Sequence, residues 1–174
     1  MRHLRLMMIN SKLKSIIYSR KIRKALNNKV SSDRSFSGKV GLIIDAENFE
    51  KTKRLFELYK DLGIDKKDLS IVVCGSKDEF PENSDFKILD LKEITVSGEF
   101  KSETIRGFAR DRYDFLICHF SEKSQAGSLL AAVTNAGIKV GNHPDEYGIY
   151  DVEVFSNSLE DFQQEVIKYY RILK

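Results

Sequence analysis

The sequence predicts an α/β fold, a parallel sheet covered by helices on both faces and preceded by a basic N-terminal helix. Three observations carry this expectation. The runs "KVGLII" (39–44), "LSIVVC" (69–74) and "YDFLICHF" (113–120) are nearly continuous in apolar residues, as strands buried on both faces must be. The segments between them place apolar residues near helical spacing, so strand and helix alternate along the chain. Finally, charge divides the chain in two. Residues 1–32 hold nine Lys/Arg and no acid, which leaves a net −6 on residues 33–174.

The first element is "KLKSIIYSRKIRKALNNK" (Lys12–Lys29), within a basic helical arm over residues 1–30. On a helical wheel Leu13, Ile16 and Ile17 share one side, and Tyr18, Ile22, Ala25 and Leu26 lie roughly opposite. A linker follows over 31–38, within the polar stretch "NNKVSSDRSFSG". A single α/β domain then occupies 39–174. After the strand 39–44, "NFEKTKRLFELYKDLG" reads as one amphipathic helix that stops at Gly63. Strand 69–74 leads through a loop holding Pro81 to a third strand, "FKILDL" (86–91). "KEITVSGEF" fits neither periodicity. "SETIRGFAR" (102–110) reads as a helix with Ser102 as its N-cap. After strand 113–120, "SQAGSLLAAVTNAG" (124–137) reads as a helix stopped by glycine, followed by the short strand "IKVG" (138–141). "DVEVF" (151–155) alternates like an edge strand. "SLEDFQQEVIKYYRIL" opens on Ser158 with Asp161 three residues on, a capping-box-like start to an amphipathic helix. Right-handed crossovers make 3-2-1-4-5 the natural strand order, with 151–155 at an edge. That is a three-layer, Rossmann-like or flavodoxin-like sheet.

Composition excludes several classes. No apolar stretch approaches the roughly 20 residues of a membrane-spanning helix, and Asn10, Lys12 and Lys14 interrupt any signal-peptide core. Cys74 and Cys118 are isolated, without C-x-x-C spacing, and read as buried hydrophobes of a reducing compartment. The turn after the first strand is "DAENF", with neither G-x-G-x-x-G nor a P-loop, and no G-x-S-x-G is present. His3, His119 and His143 do not fall at metal-ligand spacing. The sequence therefore implies no metal and no cofactor, and the expected location is cytoplasmic.

In a sheet of this kind ligands bind beyond the carboxyl ends of the strands, where the strand order reverses. The residues delivered there are Asp45, Asn48, Gly75, Ser76, His119, Ser121, Asn142 and His143. Asp45 and His119 are the candidate acid/base pair, with Asn48, Ser76, Ser121, Asn142 and His143 as candidate ligand-binding residues. Each also has a plain structural reading. Asp45 or Asn48 is placed to cap the helix that follows, Ser121 or Ser124 to cap the next, and Asn142-His143-Pro144 suits a turn.

The stretch "GLIIDAENF" (41–49) resembles the opening of NYN-type, PIN-like ribonucleases, in which a strand ends in Asp and an Asn follows three residues on. That resemblance implies a metal-dependent nuclease with Asp45 and Asn48 in its site, and it requires further carboxylates beside Asp45, for which Asp90 and Asp114 are the candidates. Where that family continues with acids, this chain has Cys118-His119-Phe120-Ser121. Over its whole length, through "GLIIDA", "YDFLICHF", "IKVGNH", "DVEVF" and "FQQEVIKYY", the chain resembles an uncharacterised family of small α/β proteins common in Bacteroidota. That resemblance implies a bacterial, cytosolic single-domain protein and carries over no catalytic residues.

The leading expectation is a non-catalytic binding or adaptor module. Its bases Lys12, Lys14, Arg20, Lys21, Arg23, Lys24 and Lys29 would contact an anionic partner, either RNA or the ribosome or an acidic protein surface. Because its apolar residues lie on two sides, the helix suits such partners better than a bilayer surface. The alternative internal use is docking on the chain's own sheet. A small transferase or hydrolase using Asp45 and His119 is the second expectation, and a degenerate metal nuclease the third.

Overall fold

The computed structural model describes residues 2–27, 36–81 and 83–174; of residues 2–11 and of Asn48 it describes the backbone alone. Six parallel strands form one sheet in the order β3-β2-β1-β4-β5-β6. They are β1 (Val40–Asp45), β2 (Leu69–Cys74), β3 (Lys87–Leu89), β4 (Arg112–His119), β5 (Asn135–Gly141) and β6 (Val152–Glu153). The expected class, strand order and edge position all hold. The edge strand is shorter than its alternation suggested, pairing only Val140 with Val152 and Gly141 with Glu153.

The helices are α1 (Arg2–Asn27), α2 (Phe49–Thr52), α3 (Leu58–Leu62), α4 (Glu103–Arg110), α5 (Gln125–Val133) and α6 (Leu159–Leu173). Because side chains alternate along a strand, β1 and β4 feed two cores. Ile43, Leu116 and Cys118 meet α4 and α5 on one face, through Ile105, Phe108, Leu129 and Leu130. Leu42, Ile44, Phe115 and Ile117 meet Leu55, Leu58 and Leu62, together with Phe162, Val166 and Tyr170 of α6, on the other. This double burial is why the strand sequences read as unbroken apolar runs. Cys74 and Cys118 are free and buried, and burial pushes both thiols upward in pKa.

Three segments depart from the sequence expectation. Residues 49–62 are not one α-helix: a 3₁₀ stretch, Lys53–Glu57, separates α2 from α3. Buried Thr52 stands at the break, its hydroxyl turned back to the Phe49 carbonyl (3.4 Å), a bond that competes with the helical ladder. The helix expected over 124–137 stops at Val133, and Gly137 lies inside β5 rather than ending a helix. The stop comes from elsewhere in the sheet. The buried Lys139 ammonium donates to the last-turn carbonyls of Ala131 (2.7 Å) and Ala132 (3.1 Å), the favoured sign of charge for a helix C-terminus. Gly137 is favoured for another reason, since a Cβ there would stand a tight 3.0 Å from the Asp114 carbonyl oxygen.

The third segment is 92–100, which the sequence left without a period. It folds into a tight turn closed by an Ile94–Phe100 antiparallel bridge, with Gly98 at φ 77°. This turn receives α1. Tyr18 and Ile22 of α1 are 3% and 2% exposed and belong to the α4–α5 core. The Tyr18 hydroxyl donates to the Thr95 carbonyl (3.1 Å), and the Lys21 ammonium donates to the Gly98 carbonyl (2.8 Å) and pairs with Glu99. Most of the expected linker lies outside the described residues. At its end, Ser37 and Gly38 donate their N–H groups to the Asp114 carboxylate at 2.8 and 2.5 Å.

Candidate functional site

The strand order reverses between β1 and β4, the switch point beyond whose carboxyl ends such sheets hold ligands. In this chain Asp45 bridges that point. One carboxylate oxygen accepts the Ser121 N–H (2.7 Å) and the other the Ser124 hydroxyl (2.8 Å). Ser124 in turn accepts the Gly127 N–H as the N-cap of α5. The carboxylate thus ties β1 to the β4–α5 turn, and it makes no bond to the helical turn that follows it, the capping role its position suggested. Burial raises its pKa above 3.8, and the two hydrogen bonds oppose that shift only in part.

His119, its expected partner in acid/base work, is not beside it. Alternation along β4 turns His119 to the α6 face, where its ring stands edge-on to Phe162 with centroids 4.8 Å apart. Burial lowers its pKa below 6.5, so the ring is neutral at neutral pH. Asp45 and His119 therefore lie on opposite faces of the sheet.

The other candidates are also committed to local structure. Ser76 caps a 3₁₀ turn by accepting from the Asp78 N–H (3.3 Å), and Ser121 accepts from the Lys123 N–H (3.3 Å). Asn142 accepts the Phe120 N–H (3.2 Å), which ties the end of β5 to the end of β4. The side chain of Asn48 lies outside the described residues. Gly75 is where β2 passes so close to Ala46 that a Cβ would overlap it, at 2.3 Å. His143 is buried, with Nδ1 2.7 Å from the Pro144 carbonyl. Since a carbonyl only accepts, Nδ1 carries a proton. Nε2 and the nearby Tyr150 hydroxyl are both buried without a partner among the described residues, their rings 5.7 Å apart. The sequence pointed to His143 but not to Tyr150, whose ring covers Gly141 from nine residues away and carries no motif.

The carboxylates that a metal nuclease needs are dispersed. Asp114 sits near the amino end of β4, holding Ser37 and Gly38, and Asp45 is at the carboxyl end of β1. With Val40 paired to Phe115, the two stand about six strand residues apart, roughly 20 Å. Asp90 ends β3, two strands from β1, and accepts the N–H groups of Lys92 and Lys77. Among the described residues no three His, Cys, Asp or Glu side chains gather in a metal-binding group.

The second region is α1. Its inner side docks, and beside the docked side a cleft of about 410 Å³ opens between α1, the β4–α5 turn and the 143–147 loop. A Ser19–Tyr147 hydrogen bond (2.7 Å) crosses it. Asp145 within it is occupied by the N–H groups of Tyr147 (2.7 Å) and Ile149 (2.6 Å). The outer side of α1 differs. Lys12, Arg20, Arg23 and Lys24 are exposed and Lys14 is half-buried, and none of the five makes an ion pair among the described residues. Leu13 and Ile16 stand among them, 49% and 51% exposed. Lys21 is the exception within the expected basic set, folded inward onto Gly98 and Glu99. Lys29 lies outside the described residues. None of the described helices is long and apolar enough to cross a membrane.

Fold and site together define a doubly wound α/β protein whose switch point is bridged by its own side chains and whose sheet carries a docked basic helix. A family model matches residues 14–173, and the chain belongs to that family, a family of unknown function called DUF6913. The matched span takes in α1 from Lys14 onward. No curated protein and no solved structure matches the chain significantly.

Proposed function

We propose that this protein is a non-catalytic binding module, in which the α/β body holds α1 in place and the outer side of α1 meets an anionic partner. One observation supports the reading above the others. Helix α1 is anchored by Tyr18 and Ile22, while Lys12, Arg20, Arg23 and Lys24 face outward without ion pairs among the described residues. A helix docked on a body with a net −6 had the opportunity to neutralise its bases internally, and only Lys21 does so among those described. Cations left this way on an ordered frame draw a negatively charged surface by long-range attraction and by release of its counterions.

The enzyme reading is less well supported, because Asp45 and His119 occupy opposite faces and both Asp45 oxygens are already bonded. A nuclease would need at least one further carboxylate beside Asp45, and the candidates Asp90 and Asp114 are each held elsewhere by their own backbone contacts.

The test is retention on a polyanion. On immobilised heparin the triple variant Arg20→Ala/Arg23→Ala/Lys24→Ala should elute at clearly lower salt than the parent, with an unchanged circular dichroism spectrum. Equal elution would remove the reading. Deleting residues 1–32 is the poorer experiment, because it also takes Tyr18 and Ile22 out of the core.

A further inference from the structure

We infer that the anionic partner of α1 is a lipid surface, met by Leu13 and Ile16 inserting among headgroups that the surrounding lysines and arginines neutralise. This rests on the reading of α1 as an anion-binding face and goes further by choosing the kind of anion.

The choice turns on which apolar residues are already used. In the sequence α1 has two apolar sides, and an interfacial helix needs one. The structure separates them. Tyr18 and Ile22 are buried in the protein's own core, Ala25 beside them is half-buried, and Leu26 and also Ile17, from the other side, are half-buried against that core. What faces outward is then a single-sided arrangement: Leu13 and Ile16, each about half exposed, with Lys12, Arg20, Arg23 and Lys24 around them. No acid occurs anywhere in residues 1–32. In the sequence Leu6 and Ile9 repeat the pair seven residues earlier, which is two helical turns.

Other occupants match only half of this surface. A nucleic acid backbone satisfies the bases and offers little to two aliphatic side chains. A second copy of the chain could cover the aliphatic pair, but it would bring four exposed bases against four more. An anionic bilayer supplies both halves at once, phosphate or carboxylate at the height of the bases and hydrocarbon just beneath. The association would be peripheral, since two aliphatic side chains and a few bases give reversible binding.

The experiment uses the purified full-length chain and sedimentation with two vesicle types, pure phosphatidylcholine and an equal mixture of phosphatidylcholine and phosphatidylglycerol. The expected result is binding to the mixed vesicles only. Leu13→Ser/Ile16→Ser should weaken it by about tenfold or more while leaving heparin retention unchanged. Arg20→Ala/Arg23→Ala/Lys24→Ala should weaken it on the order of a hundredfold and also lower heparin retention. Both variants change exposed residues, and circular dichroism verifies their fold. Heparin or homopolymeric RNA binding without vesicle binding overturns the lipid inference and leaves the anion-binding face standing. Vesicle binding indifferent to Leu13→Ser/Ile16→Ser overturns it as well. Failure to bind either heparin or vesicles overturns both readings.

Discussion

The carboxyl end of the sheet and the outer side of α1 are both rich in polar side chains, and they use them in opposite ways. At the sheet end Asp45, Ser76, Ser121, Ser124 and Asn142 are each bonded to backbone or to one another. On α1 the outward bases make no ion pairs among the described residues, and two aliphatic side chains stand half exposed between them. The first region has the residue types of an active site and the bonding of a scaffold. The second has an unremarkable composition for a surface helix, apart from its single sign of charge, and the bonding of an interface. Residue type alone does not separate these regions; hydrogen bonds and exposure do.

The largest test of this contrast lies within α1 itself. If its inner side is part of the core, Ile22→Ala should cost about 3 kcal/mol of stability, the usual range for a fully buried aliphatic side chain. Leu13→Ala, on the outer side, should stay within about 0.5 kcal/mol. Urea unfolding followed by circular dichroism measures both. Equal, small costs at the two positions would mean that α1 is not anchored, and the frame on which the outer face depends would be lost.

The next test addresses Asp45. If the carboxylate is a tie between β1 and the β4–α5 turn, Asp45→Ala leaves the Ser121 N–H without its acceptor and should cost about 2 kcal/mol. Asp45→Asn keeps an acceptor for that N–H and should cost clearly less. It also removes a charge that burial disfavours. The folded-state pKa of Asp45 is raised above 3.8, so as pH rises the unfolded chain gives up this proton first. Between the two values the folded state holds more protons, and stability from this group falls as pH rises. Asp45→Asn should abolish that part of the acid-side profile. A large loss in Asp45→Asn with no change in pH dependence would contradict the tie.

Much of the fold was legible in the sequence, because the cause lay in local pattern. Strands buried on both faces have to be apolar throughout, and "KVGLII", "LSIVVC" and "YDFLICHF" are. Ser158 with Asp161 marked the start of α6, and the Ser158 side chain accepts the Asp161 N–H (3.1 Å). What the sequence hid depends on contacts between distant residues. Lys139 ends α5 from the neighbouring strand, so Gly137 looked like the stop it is not. The turn at 92–100 has no period of its own, because its carbonyls are arranged to receive Tyr18 and Lys21, some 77 residues earlier. The separation of Asp45 from His119 was hidden for the same reason. Asp45 and His119 both end strands, and only the register of the pairing, Ile44 opposite His119, puts them on different faces.

That register makes the smallest effect also the most specific one. His119 is packed against Phe162, and burial holds its pKa below 6.5. As pH falls, the unfolded chain therefore takes up this proton before the folded protein does. Stability contributed by the neutral ring is complete above about pH 6.5 and is lost progressively as pH drops below that value. His119→Phe keeps an aromatic ring against Phe162 and cannot titrate, so its urea midpoint should change less between pH 7 and pH 5 than that of the parent. A ring instead placed in an open crevice beside Asp45 would gain stability on protonation, because the nearby carboxylate favours the charged form, and the same comparison would change sign. The direction of the pH dependence thus reports which face of the sheet His119 occupies, and with it whether Asp45 and His119 can share a substrate at all.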